Sequence, residues 1–370
     1  MAIRIKKGLF HSSSAKEHKL SRARKWAEAR LRAGSAALLA LALGAVTIAG
    51  SAAPVAASSR PKAPKGIGAQ SPLRPVGPLY LQFQSRHGVA LGSYPQLWYS
   101  PLNRSPMPGD TNPSDGVWRP LGTQGTGGYA AFSTYVAPYP GAPQVAVAWI
   151  DQGQARTQIY AGTSQPGGVW PYEGAIASSA QPSLIAAFEG GFIFNVSHGG
   201  WYEAGQTGPP LVSGAASVVE YTDGTINVGS WGTEVGMTPQ VYAVRQNLFM
   251  LVDNGQVLPV AQDNPLVTWG YSLGNLLYTW RSGLGVTANG NLVWVGGPGL
   301  SPQVLGETLV WAGAVRAMQL DMNPLWVNFA SYSYSPATGL SGSNLLPGMA
   351  YAPSHYLAGF WRDFLAVFLR

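Results

Sequence analysis

The sequence predicts an α+β fold: a β-rich single domain with several antiparallel hairpins and few helices, preceded by an N-terminal hydrophobic segment. The chain of 370 residues contains 47 Gly and 29 Pro, and it also contains 13 Trp and 17 Tyr. Gly and Pro interrupt helices, whereas aromatic residues favour strands. Short apolar runs joined by Asp-Gly or Asn-Gly dipeptides are typical of hairpins.

The N-terminal region predicts export. Residues 1–34 form a basic segment, with ten Lys and Arg among the first 32 residues, and residues 35–57 carry no charge and end in small residues. This pattern fits either the apolar region of a signal peptide or a transmembrane anchor, and the sequence leaves both open. Because the basic side is expected to stay in the cytoplasm, we expect an extracytoplasmic protein that is either anchored by this segment or secreted.

The rest of the chain divides into a linker and a folded domain. Residues 58–76 are rich in Pro, Ser and Lys and contain too few apolar residues to build a core. Residues 77–370 are predicted to form the domain, with its core in residues 145–330.

Charge is distributed unevenly, which argues against nucleic acid as a partner. The formal net charge is +7, but residues 1–74 hold 14 of the 23 Lys and Arg and only two acids. From residue 75 onward there are nine Arg, no Lys and 14 acids, so the folded part carries about 9 − 14 = −5. Nucleic-acid binding needs several cations aimed at phosphates. The lack of Cys excludes disulfides, thiol catalysis and thiolate metal sites.

Local patterns predict the main strands. The apolar runs Val145–Ile150 and Leu184–Phe188 predict buried strands. Hairpins are predicted over residues 217–229, 248–260 and 283–295, since each contains a dipeptide that tolerates the positive φ angles of a tight turn. These dipeptides are Asp223-Gly224, Asn254-Gly255 and Asn289-Gly290.

One helix is predicted, beginning at the N-cap Ser301, with Pro302 in its first turn, and ending at Gly313. The run Ala314–Leu320 then predicts a short strand that is followed directly by Asp321.

Three clusters contain candidate functional residues. Glu189-Gly190-Gly191 follows a strand, where glycines let a ligand approach the backbone; the alternative is an ordinary turn with a solvated glutamate. Arg281 is a candidate anion ligand, or else it pairs with a nearby carboxylate. Asp321 ends a buried strand, which would hold its carboxylate on a rigid support, or else it forms a turn before the Asn-Pro that follows.

No cofactor or metal site is predicted. The five His are spread along the chain, and no ligand spacing supports a divalent cation.

These clusters, in this order, resemble the phosphodiester glycosidase family, which has the N-acetylglucosamine-1-phosphodiester alpha-N-acetylglucosaminidase-like domain. The resemblance is that of a divergent bacterial member. The family pattern has an Asn-Gly-Gly-Phe-like segment after a strand, a hairpin of the form R-x-x-x-G-V-T-x-D-G, a helix, and then G-A-V-x-A-x-x-L-D. The similar segments here are residues 188–192, 281–290 and 313–321. The resemblance covers about residues 145–329.

Two positions depart from the family pattern. Asp321 is followed by Met-Asn-Pro-Leu-Trp, where the family has a Gly-rich D-G-G-G-S segment, and Glu189 stands where the family has Asn. A Gly-rich loop can fold its amides around a phosphate or a sugar, and the segment found here cannot do so in the same way.

The resemblance implies a hydrolase that cleaves sugar-1-phosphodiester linkages in envelope or extracellular polysaccharide. Its catalytic residues would be Arg281, which holds the phosphate, Asp321, which acts on the sugar carbon or on water, and Glu189 as a further contact. The expected substrate-binding residues are Asn323, His198 as a proton carrier, Gly190, Gly191 and Thr287. The alternative is a catalytically altered, non-enzymatic envelope glycan-binding protein on the same fold. In both cases the partners would be a carbohydrate or sugar phosphate and, through the N-terminal segment, the membrane.

Overall fold

Antiparallel strands are the main secondary structure of the described chain, which comprises residues 104–370 of a computed structural model. The predicted basic segment, apolar segment, linker and start of the domain lie outside these residues. Within residues 104–370, no helix is long and apolar enough to cross a membrane.

Eighteen strands are present in the described chain. In chain order they are β1 (Arg119–Leu121), β2 (Ala131–Val136), β3 (Val145–Ile150), β4 (Ala155–Tyr160), β5 (Leu184–Glu189), β6 (Trp201–Glu203), β7 (Gln206–Thr207), β8 (Ala216–Tyr221), β9 (Ile226–Ser230), β10 (Val241–Gln246), β11 (Met250–Asp253), β12 (Gln256–Val257), β13 (Thr279–Thr287), β14 (Leu292–Leu300), β15 (Ala314–Met322), β16 (Phe329–Ser335), β17 (Gly339–Asn344) and β18 (Phe364–Leu369).

The helices of the described chain are few and mostly short. They are α1 (Phe194–Ser197), α2 (Pro265–Thr268), α3 (Pro302–Trp311) and three 3₁₀ helices, Ser178–Ser183, Pro259–Gln262 and Pro353–Leu357.

The strands form three sheets. The first has the order β1-β2-β3-β14-β13-β15-β11-β12, the second β7-β6-β10-β8-β9, and the third β17-β16-β5-β18-β4. Every pairing between these strands is antiparallel. The predicted β-rich fold with several hairpins and few helices is therefore confirmed for the described residues.

The local predictions are confirmed as well. The three predicted hairpins are β8–β9, β11–β12 and β13–β14. The predicted helix is α3, and the Ser301 hydroxyl accepts a hydrogen bond from the Val304 amide at 3.2 Å, as an N-cap does. The strand after it, β15, reaches two residues past the predicted end and so includes Asp321.

The largest apolar cluster joins all three sheets. The Trp294 ring of the first sheet lies 4.8 Å from that of Phe329, which stacks on Phe188 at 5.3 Å within the third sheet. Trp201 and Val218 of the second sheet belong to the same cluster. A second cluster fills the other face of the first sheet, beneath α3.

Two glutamates are buried in the second sheet. Ala243 of β10 pairs with Glu203 on one side and with Glu220 on the other, so both carboxyls project from the same face. The Tyr172 amide donates to Glu203 Oε1 at 3.2 Å, and the Ile159 amide donates to Glu220 Oε2 at 2.8 Å. Burial raises the pKa of Glu203 to about 7 and raises that of Glu220 well above its usual value.

We expect Glu203→Gln to flatten the pH dependence of stability between pH 4.5 and about 7. Below this range the carboxyl is protonated in both the folded and the unfolded chain. Within it the unfolded chain loses the proton while the folded chain keeps it, so the free energy of unfolding falls with rising pH, by up to about 3 kcal/mol. Denaturant unfolding across this range measures the effect.

Glu307→Gln is the matched control, because Glu307 is exposed on α3. If the wild type and Glu203→Gln lost stability equally with rising pH, the raised pKa of Glu203 would be contradicted.

Candidate functional site

Segments distant in the sequence meet where β5 ends and β18 begins. Glu189 is the last residue of β5 and pairs with Phe364, the first residue of β18. Arg362 and Asp363 come directly before that strand. In an antiparallel pair, the end of one strand lies beside the start of the other. Glu189 is therefore close to Arg362 and Asp363.

A β-bulge in the first sheet belongs to the same site. Gly283 of β13 pairs with Gln319, whereas Arg281, two residues earlier, pairs with Met322, three residues later. Strand β15 therefore contains one extra residue, at Leu320-Asp321. Bulges redirect side chains, and Asp321 points to Arg362.

The Arg362 guanidinium bridges the two acids. Its Nε lies 3.0 Å from Glu189 Oε1, and its Nη2 donates to Asp321 Oδ2 and, at 2.5 Å, to the Gly191 carbonyl. The Arg362 side chain is 3% exposed, and each acid side chain is 1% exposed. The three charged groups thus interact almost entirely without solvent, where charge-assisted contacts are strongest.

A second ion pair adjoins the first. Arg245 of β10 donates from Nε to Asp363 Oδ2 at 2.7 Å and from Nη2 to Asp363 Oδ1 at 3.3 Å, which is a bidentate contact. Its guanidinium also donates to the carbonyls of Gln246 and Phe192. We call these five residues the buried charge cluster: Glu189, Arg245, Asp321, Arg362 and Asp363.

The glycine pair after β5 makes room for this cluster. A Cβ at Gly190 would lie 2.1 Å from Asp363 Oδ2, and a Cβ at Gly191 would lie 2.7 Å from Arg245 Nη1. Gly191 also has φ +147°, a conformation that residues with a Cβ rarely adopt. Both glycines are therefore needed for the ion pairs to form next to the backbone.

The charges of the cluster do not balance if all its groups are ionised. Two arginines face three acids, which leaves one negative charge in a buried site. Neither oxygen of Glu189 accepts a hydrogen bond from the described residues, whereas Asp321 accepts from Arg362 and, at 2.7 Å, from the Met322 amide.

Burial raises the pKa of both acids. For Glu189 the pKa is raised well above its usual value, with Arg362 opposing the shift and Asp321 adding to it. For Asp321 burial raises the pKa too, and Arg362 and the Met322 amide oppose it. We infer that Glu189 holds the proton and Asp321 is ionised, which makes the cluster neutral.

Aromatic rings cover the Arg362 guanidinium. Its Cζ lies 4.5 Å from the ring centre of Trp326 and 5.5 Å from that of Trp361. Those two rings are 5.7 Å apart, and Trp326 is 6.2 Å from Tyr351. Trp361 is 37% exposed. The Trp of the Met-Asn-Pro-Leu-Trp segment therefore lies over the arginine that binds Asp321.

Arg281 lies elsewhere. It donates from Nε to the Leu300 carbonyl at 3.1 Å and from Nη1 to Gln319 Oε1 at 2.9 Å. Gly283, two residues along β13 and therefore on the same face, points toward Leu309 of α3. The structure does not bring the predicted phosphate ligand to Asp321, and the alternative of an arginine paired with a carboxylate is not seen among the described residues.

The other predicted substrate contacts have local partners. Asn323 Oδ1 accepts from the Leu273 amide at 2.8 Å, and its Nδ2 donates to the Tyr271 carbonyl at 3.2 Å. His198 is exposed at the C-terminal end of α1, and Thr287 accepts a hydrogen bond in the β13–β14 turn. Among the predicted binding residues in the described chain, only Gly190 and Gly191 are in contact with the buried charge cluster.

Arg245, Arg362 and Asp363 were missed from the sequence. The available signal was a charge placed inside or beside an apolar strand: Arg245 in VYAVRQ, and Arg362-Asp363 before FLAVFL. Among residues 104–370, no group of three or more His, Cys, Asp or Glu side chains is arranged to hold a metal ion.

No protein-family profile matches this chain, and no curated protein matches it in sequence. Among solved structures, it is similar to the catalytic domain of zebrafish N-acetylglucosamine-1-phosphodiester alpha-N-acetylglucosaminidase, auto-inhibited by its pro-peptide, with a TM-score of 0.40 and 12% identity over 69% of this chain and 88% of that one.

Two further structures are similar to the chain. A hypothetical protein from Synechocystis has a TM-score of 0.37 and 14% identity, over 65% of this chain and 62% of that one. A protein from Burkholderia pseudomallei, described as exported, has a TM-score of 0.27 and 12% identity, over 63% and 75%. Similarity at this level carries neither an activity nor a site over to this chain.

We expect Gly190→Ala to lower the free energy of unfolding by about 1–3 kcal/mol, because its methyl group would overlap the Asp363 carboxylate. Denaturant unfolding followed by Trp fluorescence measures this. Gly236→Ala is the control, since a Cβ there meets no atom within 4 Å. Equal stabilities of the two variants would contradict the close approach.

Proposed function

We propose that this chain is an exported or membrane-anchored phosphodiester glycosidase-like hydrolase that cleaves sugar-1-phosphodiester linkages in envelope or extracellular polysaccharide. The observation that carries the proposal is the shared Arg362: it holds together Glu189 and Asp321, the acids that stand in two separate segments similar to the family pattern.

The inferred protonation states suit this reaction. In a sugar-1-phosphodiester the C1–O bond breaks, its electron pair leaves with the phosphate, and water supplies the hydroxyl at C1. The ionised Asp321 would stabilise the positive charge at C1 or accept the proton from water. The neutral Glu189 could lie against the phosphate without repelling it and donate a hydrogen bond to the leaving oxygen.

Proton donation contributes little here. A departing phosphate monoester is a weak base, so it needs less protonation than the alkoxide of an ordinary glycoside. Asp321 is therefore the residue on which the rate depends most. Arg281 remains outside the proposed reacting groups, because it lies on the α3 face of β13.

Access requires the aromatic cover to move. The acids are 1% exposed, and Trp326 and Trp361 lie over the arginine that joins them. A sugar ring that displaced one of these indoles could stack on the other, since a pyranose presents apolar C–H groups to an aromatic face.

Glycan binding without hydrolysis is the second candidate, and one observation favours it. Both cluster arginines already pair with carboxylates, and Arg281 is remote, so no unpaired arginine among the described residues faces the cluster. A neutral glycan held by Trp326, Trp361 and Tyr351 would need no such cation.

We expect the purified full chain to release free sugar from a panel of sugar-1-phosphodiesters, and Asp321→Asn to lower kcat by about 10²–10⁴-fold. Glu189→Gln should lower kcat by a smaller factor, because the amide side chain is still a neutral hydrogen-bond donor. Glu307→Gln, on the exposed side of α3, is the matched control. Colorimetric detection of released reducing sugar gives the rates.

One outcome would reject the role of Asp321, and another would reject the hydrolase itself. Wild-type rates in Asp321→Asn would remove Asp321 from the reaction. No turnover with any member of the panel, combined with saturable glycan binding that weakens in Trp361→Ala, would favour the binding protein instead.

A further inference from the structure

A surface loop beside the charge cluster exposes large apolar side chains. Residues 265–278 begin with the single turn of α2, lead into β13 and contain no charged residue. We call them the apolar loop. Six of its side chains are between 45% and 79% exposed: Val267, Tyr271, Leu273, Leu276, Leu277 and Tyr278. An exposed apolar surface of this kind marks an interaction site more often than a chance arrangement.

The apolar loop is held in place by its backbone and by one buried ring. Asn323 bonds the Tyr271 carbonyl and the Leu273 amide, and the Ser272 hydroxyl donates to the Leu276 carbonyl at 2.7 Å. Trp269 is fully buried and donates to the Val260 carbonyl at 2.8 Å. These hydrogen bonds fix the backbone of the loop while its leucines are exposed.

This composition fits a lipid surface. Leucines lie between tyrosines at residues 271 and 278, and tyrosine is favoured at the boundary between headgroups and acyl chains.

The N-terminal sequence argues for the same partner. Residues 35–57 are predicted to enter a membrane, and the predicted linker that joins them to the folded domain, residues 58–76, has 19 residues. At about 3.3 Å per residue this linker can reach at most roughly 60 Å. An anchored domain could therefore bring the apolar loop to the bilayer that holds it.

We propose that the apolar loop docks into the headgroup region of a lipid bilayer. The loop lies next to the candidate site, since Asn323 follows Asp321 by two residues and Gly270 approaches Met322. Docking would hold that site at the membrane surface. The proposal does not depend on the chain being a hydrolase.

The chain has no Cys, so one introduced Cys gives a single label. The full chain carrying Leu276→Cys is labelled with an environment-sensitive fluorophore and reconstituted into phosphatidylcholine–phosphatidylglycerol vesicles, with or without lipids that carry a nitroxide on the acyl chain. We expect a blue shift and loss of most of the emission to the nitroxide lipids. The control label at Ser341→Cys, on exposed β17, should keep its emission.

A charge substitution gives an independent readout. With the label at Tyr271→Cys, the added substitutions Leu276→Asp and Leu277→Asp should reduce quenching to the level of the Ser341 control, whereas Val169→Asp, at another exposed apolar position, should not. Equal quenching of the Leu276 and Ser341 labels would overturn the proposal. Disulfide-linked dimers of Leu276→Cys without lipid quenching would overturn it in favour of a second copy of the chain.

Discussion

The buried guanidinium of Arg362 is the contact on which the candidate site depends. It joins the last residue of β5 to the bulge of β15, and it lies at the start of β18, so two sheets meet through it. Removing the cation would leave the ionised Asp321 buried without a counter-charge, at a cost of about 3–5 kcal/mol. The bulge, the glycine pair and the tryptophan cover all serve to place or enclose this group.

The same contact explains how the nearby carboxyls of Glu189 and Asp321 can differ in protonation state. Arg362 donates a hydrogen bond to Asp321, whereas neither oxygen of Glu189 accepts one, although Arg362 Nε lies 3.0 Å from Glu189 Oε1. Arg245 and Asp363 satisfy each other, so the remaining negative charge is removed most easily by a proton on Glu189. An acid and a carboxylate held by one arginine are the groups that both hydrolysis and glycan binding could use.

The fold could be predicted because its signals are local. Asx-Gly turns, the Ser301-Pro302 helix start and apolar runs each depend on a few neighbouring residues. The site could be predicted only in part. Arg245 and Asp363 are 118 residues apart, and Arg362 and Asp321 are 41 apart, so no local pattern links them. The resemblance implied that Arg281 acts beside Asp321, but the extra residue in β15 separates the directions of their side chains.

The central claim is that Glu189 is a neutral acid beside an ionised Asp321. Infrared difference spectroscopy of the wild type against Glu189→Gln at neutral pH tests it most directly, because a protonated carboxyl has a C=O stretch that a carboxylate lacks. The expected result is a protonated-carboxyl band in the difference between the wild type and Glu189→Gln, where the bands of Glu203 and Glu220 cancel because both samples contain them, while Asp321→Asn changes only carboxylate bands. A difference spectrum without this band, or a protonated-carboxyl band lost in Asp321→Asn instead, would contradict the neutral Glu189.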